Sequence, residues 1–260
     1  MDNPSSSFRV AFRQQLLSDR MMGVRSVPMP PLRKRDPALQ SKPGISDRPG
    51  VSPAPRPVRS KEAAAAKAEQ LRVLDETRVK GCVQCSLCKT RTQTVFGQGN
   101  PDARLVFVGE APGFEEDKQG LAFVGRAGQL LSRMIVAMHL TRDDVFICNV
   151  LKCRPPNNRD PSADEILSCS PYLMEQLAIL QPEVLVALGA PAAKTLLNTT
   201  ASIGKLRGRF HDCYPSGIAG QGQPIPLMPT YHPAYLLRSP SEKRKTWEDL
   251  QLVMDRLGLR

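Results

Sequence analysis

Residues 104–128, RLVFVGEAPGFEEDKQGLAFVGRAG, decide the fold that we predict for this chain. The stretch opens with four apolar residues, 105–108, which are typical of a buried strand. The strand pattern breaks at residues 109–113, where two glycines and a proline let a ligand approach the backbone closely. In α/β proteins, ligands bind just beyond the carboxyl end of such a strand. We therefore interpret this stretch as a strand and a ligand-binding loop, with Phe123 as either a core residue or a stacking surface.

Strand and helix patterns alternate along the rest of the chain. Periodic and continuous apolar runs predict helices at 127–139, 161–180, 191–197 and 242–257, and strands at 145–150 and 183–188. Two more segments, 209–214 and 225–230, flank a loop rich in glycine and glutamine. Alternation of this kind favours a mostly parallel sheet with helices on both faces. The predicted fold class is α/β, a three-layer α/β/α sandwich with a central, mostly parallel sheet.

Residues 1–60 differ in composition from the rest of the chain. They contain ten of the 24 prolines, and their 11 Lys/Arg against four Asp give +7 of the formal charge of +11. Such a segment buries too little apolar area to offset ~1–2 kcal/mol per residue of backbone entropy, so we expect a disordered tail. A basic tail can bind nucleic acid or a protein partner, or it can be a solvated linker, and the composition leaves these alternatives open.

Residues 61–80 are rich in strong helix formers and predict a helical lead-in that stops at Gly81, before a folded domain over 81–260. No apolar run approaches the ~20 residues that cross a bilayer, so we expect no contact with a membrane. No secretory signal is visible, and seven cysteines, an odd number, argue against a disulfide framework. We therefore expect a cytoplasmic, monomeric protein whose cysteines are reduced or bound to metal.

Four cysteines form a candidate metal site. Cys82 and Cys85 are a CxxC pair, while Cys153 follows the second strand and Cys169 lies in the next helix. Four thiolates from two separated segments can hold zinc or an iron–sulfur cluster, and the spacing does not choose between them. The alternative is that all seven are scattered thiols, which is how we interpret the remaining three, Cys88, Cys148 and Cys213.

Four segments of the chain carry a resemblance to a known family. In order, they are CVQCSLCKTRTQTVFGQGNPDARLVFVGEAPGFEEDKQGLAFVGRAGQLL, CNVLKCRPPNNRDPSADE, VLVALGAPAAKTLL and YHPAYLLRSP. Together they cover nearly all of residues 81–260. This region resembles the family 4 uracil-DNA glycosylases, the iron–sulfur group of the uracil-DNA glycosylase superfamily. The resemblance implies an enzyme that flips uracil out of single- or double-stranded DNA and hydrolyses its N-glycosidic bond, leaving an abasic site.

The resemblance also implies a role for individual residues. The backbone of the loop Gly109, Glu110 and Ala111 would line the uracil pocket. Phe123 would stack on the base and Glu116 would lie near its C5 edge. Asn149 would read the base at O4 and N3–H, and His232 would lie at O2. The implied ligands of a [4Fe–4S] cluster are Cys82, Cys85, Cys153 and Cys169.

Hydrolysis and DNA binding receive further implied residues. Relatives in another family place an aspartate where this chain has Ala111, so Glu110 is the candidate for orienting water or stabilising the sugar cation. Leu236, Leu237 and Arg238 resemble the wedge that fills the gap left by the extruded base. Cations predicted to contact phosphates are Arg91, Lys152, Arg154, Arg159, Arg207 and Arg238.

Two other functions stay open at this point. One is a superfamily member that binds uracil or crosslinks to DNA without turnover. A crosslinking group carries a histidine after the second strand, whereas the corresponding KCRPPNNRDPS has none. The other is a zinc-dependent nucleic-acid-binding protein that uses the same four cysteines.

Overall fold

The computed structural model describes residues 60–217 and 220–260. The predicted disordered tail and its proposed partners lie outside the described residues. The described helices do not include a segment with the length and hydrophobicity needed to span a bilayer.

A six-stranded sheet forms the centre of the fold. Its strands are β1 (Gln98–Gly99), β2 (Leu105–Gly109), β3 (Phe146–Asn149), β4 (Val184–Leu188), β5 (His211–Cys213) and β6 (Ile225–Thr230). The spatial order is β1-β3-β2-β4-β6-β5. The four central strands are parallel, and the short edge strands β1 and β5 pair antiparallel to them. The mostly parallel sheet expected from strand–helix alternation is confirmed.

Helices cover both faces of this sheet. They are α1 (Lys61–Leu74), α2 (Phe114–Gln119), α3 (Arg126–Ala137), α4 (Ala163–Leu180), α5 (Ala190–Leu197), α6 (Ile203–Leu206), α7 (Pro233–Arg238) and α8 (Lys243–Leu257). Successive residues of β2 alternate between two cores, because side chains of a strand point to opposite faces. Val106 packs with α1, α4 and α5, whereas Phe107 packs with α3 and α8. The predicted three-layer α/β/α sandwich is therefore confirmed.

Local signals account for where α4 begins. The Ser162 hydroxyl accepts from the Glu165 N–H, and the Glu165 carboxylate accepts from the Ser162 N–H, which forms a capping box. The helix consequently starts two residues later than predicted. Arg159, predicted to contact a phosphate, forms a two-pronged ion pair with Glu165 instead. Arg159 therefore reinforces the start of α4.

Candidate active site

The carboxyl ends of the parallel strands bring the predicted pocket residues together. Gly109 ends β2 and lies opposite Asn149, which ends β3. A Cβ built on Gly109 would lie 2.3 Å from Asn149 Oδ1 and 2.5 Å from Phe123 Cζ. The Phe123 ring lies 5.7 Å, centroid to centroid, from the His232 ring. A residue without a side chain is thus required at Gly109, which lies against the Asn149 amide and the Phe123 ring, and the His232 ring lies beside that of Phe123.

Phe123 is held in a conformation that a phenylalanine rarely adopts. Its φ is +55°, which is costly for a bulky residue. The Arg142 guanidinium donates to the Phe123 carbonyl at 3.2 Å and to the Ala122 carbonyl at 2.7 Å. Gly128 allows the helix to approach, since a Cβ there would lie 1.8 Å from the Phe123 carbonyl oxygen. Sequence reasoning missed Arg142 and Gly128, although a glycine in the first turns of a helical pattern signals such a close approach.

Asn149 presents an acceptor that has no partner in the protein. Its side chain is 1% exposed, and its Oδ1 makes no hydrogen bond. An unsatisfied buried acceptor costs about 1–3 kcal/mol, which makes it a marker of a site that receives a donor from a ligand. The main-chain carbonyl of Asn149 accepts from Lys152 Nζ at 2.8 Å, and this hydrogen bond holds the backbone of Asn149 in place.

The hydrogen bonding of His232 fixes its tautomer. It caps the N-terminus of α7, where its Nδ1 accepts from the Ala234 N–H at 3.1 Å. Burial, together with the positive charge of Arg238, lowers the pKa of His232 to about 4, and the Glu116 carboxylate opposes this shift. At neutral pH the ring is therefore uncharged, with its proton on Nε2. Gly189 lets the backbone approach His232 closely, since a Cβ there would lie 3.0 Å from His232 Cβ.

Glu116 makes contacts that hold the loop around Phe123. Its Oε1 accepts from the Val124 and Gly125 N–H groups, both at 2.9 Å, and Gly125 is the N-cap of α3. A carboxylate at a helix N-terminus is stabilised by unpaired N–H groups and by the helix dipole. The predicted position of Glu116 at the C5 edge of a base stays a prediction.

Glu110 is a partly buried carboxyl in the loop after β2. Burial, with a smaller effect from the Asp160 carboxylate, raises its pKa to about 7. Its backbone is fixed because the Leu151 N–H donates to the Glu110 carbonyl at 3.0 Å. Ala111, the next residue, packs partly buried against the core. Glu110 can therefore gain or lose a proton near neutral pH, as a general base must.

Besides Arg159, three of the predicted phosphate contacts have other partners. Lys152 is fully buried, and its Nζ donates to Gln176 Oε1 at 2.5 Å as well as to the Asn149 carbonyl. Arg207 makes a two-pronged ion pair with the buried carboxylate of Asp249. Arg91 donates to Cys153 Sγ at 3.1 Å. The prediction for Lys152 is wrong because its side chain is buried, the partly exposed Arg207 is engaged by Asp249, and Arg91 lies at the cysteine site.

The predicted wedge is only partly at the surface. Leu236 is 1% exposed and packs inside, whereas Tyr235 and Arg238 are exposed and Leu237 is partly buried. The prediction that Leu236 enters DNA is wrong, because capping of α7 at His232 turns position 236 toward the interior. Arg154 is partly exposed, and its guanidinium lies over the ring of Phe114.

The four predicted cysteine ligands line one cavity. Cys82, Cys85, Cys153 and Cys169 face it, together with Leu87 and the side chains that contact the sulfurs. Three of the sulfur atoms have hydrogen-bond partners: Cys82 with the Tyr172 hydroxyl, Cys153 with Arg91 and Cys169 with the Lys152 N–H. Within the described ranges, no three His, Cys, Asp or Glu side chains are positioned to hold a single metal ion. The structure thus brings four cysteines together at one cavity.

Comparison with known proteins agrees with this geometry. The model of the Uracil DNA glycosylase superfamily matches residues 96–251. The Type-4 uracil-DNA glycosylase of Thermotoga maritima is 45% identical over 186 residues, which cover 70% of this chain and 93% of that protein. Those of Saccharolobus solfataricus and Archaeoglobus fulgidus are 45% and 40% identical, over 69% of this chain and 83% and 90% of their own lengths. The chain belongs to the type-4 uracil-DNA glycosylases of the Uracil DNA glycosylase superfamily.

Proposed function

We propose that this protein excises uracil from DNA by hydrolysing the N-glycosidic bond, with an abasic site as the product. The observation that carries the proposal is the buried, unpartnered Oδ1 of Asn149, which lies near the Phe123 ring at Gly109, while the His232 ring lies beside that of Phe123. A base inside a duplex must be extruded to reach such a site, at a cost of a few kcal/mol. The reaction then needs base recognition, a stabilised leaving group and a positioned water.

Recognition of uracil follows from the amide of Asn149. Its Oδ1 accepts from uracil N3–H, and its Nδ2 donates to O4. Cytosine presents the opposite pattern, with an acceptor at N3 and a donor at N4, so the buried amide would be left unpaired against it. Phe123 supplies the stacking face. A side chain packed at C5, which we assign to Glu116, excludes the methyl group of thymine.

Departure of the base is assisted by His232. Cleavage of the glycosidic bond places negative charge on uracil O2 and positive charge on the sugar. The proton on Nε2 is directed at O2 because Nδ1 is engaged by the Ala234 N–H. A neutral donor that is already oriented costs no reorganisation in the transition state, and removing one such donor typically lowers kcat about 10²–10³-fold.

Water is positioned by Glu110 in this scheme. Its pKa of about 7 leaves a substantial fraction of carboxylate at neutral pH, which can accept a hydrogen bond from the attacking water or stabilise the sugar cation. Ala111 contributes no side-chain acid or base. Glu110 is thus the titratable group of the loop on which hydrolysis depends.

The four-cysteine site would hold a [4Fe–4S] cluster. Four cysteines facing one cavity, with N–H and O–H groups directed at three sulfurs, are typical of such ligation. When bound, the cluster would crosslink the segment before β1 to the segment between β3 and α4 and to α4 itself. Iron and sulfide analysis and absorbance near 400 nm distinguish it from zinc. We expect Cys82→Ser to lose the absorbance and Cys88→Ser to retain it. A colourless protein loaded with zinc would contradict the assignment.

A glycosylase assay tests the function directly. The purified protein is incubated with a uracil-containing oligonucleotide, and alkali then cleaves the strand wherever an abasic site has formed. We expect His232→Ala and Asn149→Ala to lose at least 100-fold in rate while the absorbance of the cysteine site is kept. His139→Asn, at an exposed histidine, is the matched control. Intact strands at every salt concentration would contradict the proposal, and an adduct that survives denaturing electrophoresis would support crosslinking. The predicted monomeric state and cytoplasmic location stay predictions.

A further inference from the structure

An exposed phenylalanine lies beside the pocket with a cation on its face. The side chain of Phe114 is 57% exposed. The guanidinium carbon of Arg154 lies 5.1 Å from the centroid of its ring. Exposing a ring of this size is unfavourable in water, and a guanidinium on its face marks a surface with both aromatic and positive character.

The two residues come from the same loops that build the pocket. Phe114 is the first residue of α2 and directly follows the loop that contains Glu110. Arg154 follows Asn149 on the loop after β3. Because β2 and β3 are parallel neighbours, with Gly109 opposite Asn149, both loops leave the same edge of the sheet. The pair therefore lies at the edge of the sheet where the candidate pocket is formed.

Arg154 is held in position without a ligand. Its Nε donates to Asn158 Oδ1 at 2.7 Å. Asn157 and Asn158 both have positive φ, +55° and +53°, which asparagine tolerates better than most residues. The turn therefore holds the guanidinium of this partly exposed arginine in place before a ligand binds, so that less side-chain entropy is lost on binding.

We infer that Phe114 stacks on the nucleobase next to the extruded uracil and that Arg154 contacts the adjoining phosphate. This inference rests on the proposed function and adds a second base-binding position to it. An aromatic face that is sequence-tolerant, joined to a cation, is the usual surface for single-stranded DNA. Stacking of one base contributes about 1–3 kcal/mol, which corresponds to a change of about 5- to 150-fold in affinity.

The test pairs a protein variant with a DNA variant. Single-stranded oligonucleotides carry one uracil, and the base on its 5′ or 3′ side is replaced in turn by a tetrahydrofuran spacer. We expect Phe114→Ala to raise KM about 5- to 100-fold on the unmodified strand, with kcat nearly unchanged. One of the two spacers should cause a similar rise with the unaltered protein. Phe114→Ala acting on that spacer strand should have a KM little higher than either change gives alone, because each change removes the same contact.

Controls separate stacking from other effects. Phe114→Trp should restore a low KM, and Val136→Ala, at a residue that is 65% exposed, should leave KM unchanged. Melting temperatures verify that each variant is folded. The inference is wrong if Phe114→Ala leaves KM unchanged. It is also wrong if, with each of the two spacer strands, Phe114→Ala raises KM by as large a factor as it does with the unmodified strand. The ring would then serve another partner, such as a protein. Failure of the proposed function would look different, since the unaltered protein would then excise no uracil from any strand.

Discussion

Replacing Gly109 by alanine places a methyl group between the two side chains that define the pocket. The added Cβ would lie 2.3 Å from Asn149 Oδ1, whereas ordinary contacts begin at 3.4 Å, so the amide has to move by about 1 Å. A displacement of this size in a positioning group costs on the order of 10²-fold in rate. We therefore expect kcat/KM for uracil excision to fall about 100-fold or more. The fold should lose less, because overpacking costs about 1–3 kcal/mol, or roughly 2–12 °C in Tm.

The assay is single-turnover excision from a uracil-containing oligonucleotide, combined with thermal melting and with inhibition by free uracil. Gly204→Ala in α6 is the matched control, since a Cβ there meets nothing within 4 Å and should leave both rate and Tm nearly unchanged. We expect free uracil to inhibit Gly109→Ala much more weakly than the unaltered protein. Near-normal excision and inhibition by Gly109→Ala would show that the base does not bind against Gly109, and the site would have to be reassigned.

Three further changes test the electrostatics of the fold and site. Burial raises the pKa of Glu110 from 4.5 to about 7, so the folded protein keeps a proton that the unfolded chain loses in between. The free energy of unfolding therefore falls as pH rises from about 4.5 to 7, and Glu110→Gln should flatten this part of a Tm–pH curve. Because the carboxylate is the form proposed to position water, kcat should rise through pH 7 in the unaltered protein, and Glu110→Gln should abolish that rise. Arg207→Met leaves the buried Asp249 carboxylate without its partner and should lower the free energy of unfolding by about 3–5 kcal/mol in denaturant titrations, yet leave the salt dependence of DNA binding unchanged. Lys152→Met frees the Asn149 carbonyl and should weaken inhibition by free uracil at least tenfold, whereas an unchanged inhibition constant would remove any positioning role for the lysine.

The sequence predicts the sheet well because its signals are local. The apolar run before Gly109 and the alternation of elements are read within a few residues, and the structure differs from them mainly at element ends. The pairing of Lys152 and Arg207 could not be predicted in this way. In the sequence, Lys152 and Arg207 look like surface residues, because their partners Gln176 and Asp249 lie 24 and 42 positions away along the chain. Such pairings depend on how helices dock on the sheet, which local periodicity does not encode.

Leu236 shows the same limit at shorter range. The motif around it predicts an apolar knob, but which residue of the knob faces out depends on where α7 begins. The Nδ1 of His232 sets that start by capping Ala234. His232 therefore fixes both its own Nε2–H donor and the orientation of the following helical turn. In that turn Tyr235 and Arg238 face solvent while Leu236 faces the core.

Lys152 connects the pocket to the cysteine site through a single residue. Its Nζ fixes the carbonyl of Asn149, while its backbone N–H donates to Cys169 Sγ at 3.2 Å. Both acceptors of Nζ are uncharged oxygens. Burial lowers the pKa of this amine, whereas the sulfurs of Cys148 and Cys169 raise it. Thiolate ligands at the proposed cluster site would supply negative charge that stabilises the protonated amine. We therefore expect the cysteine site to influence uracil recognition through the position and charge of this lysine, without any ligand of that site touching the base.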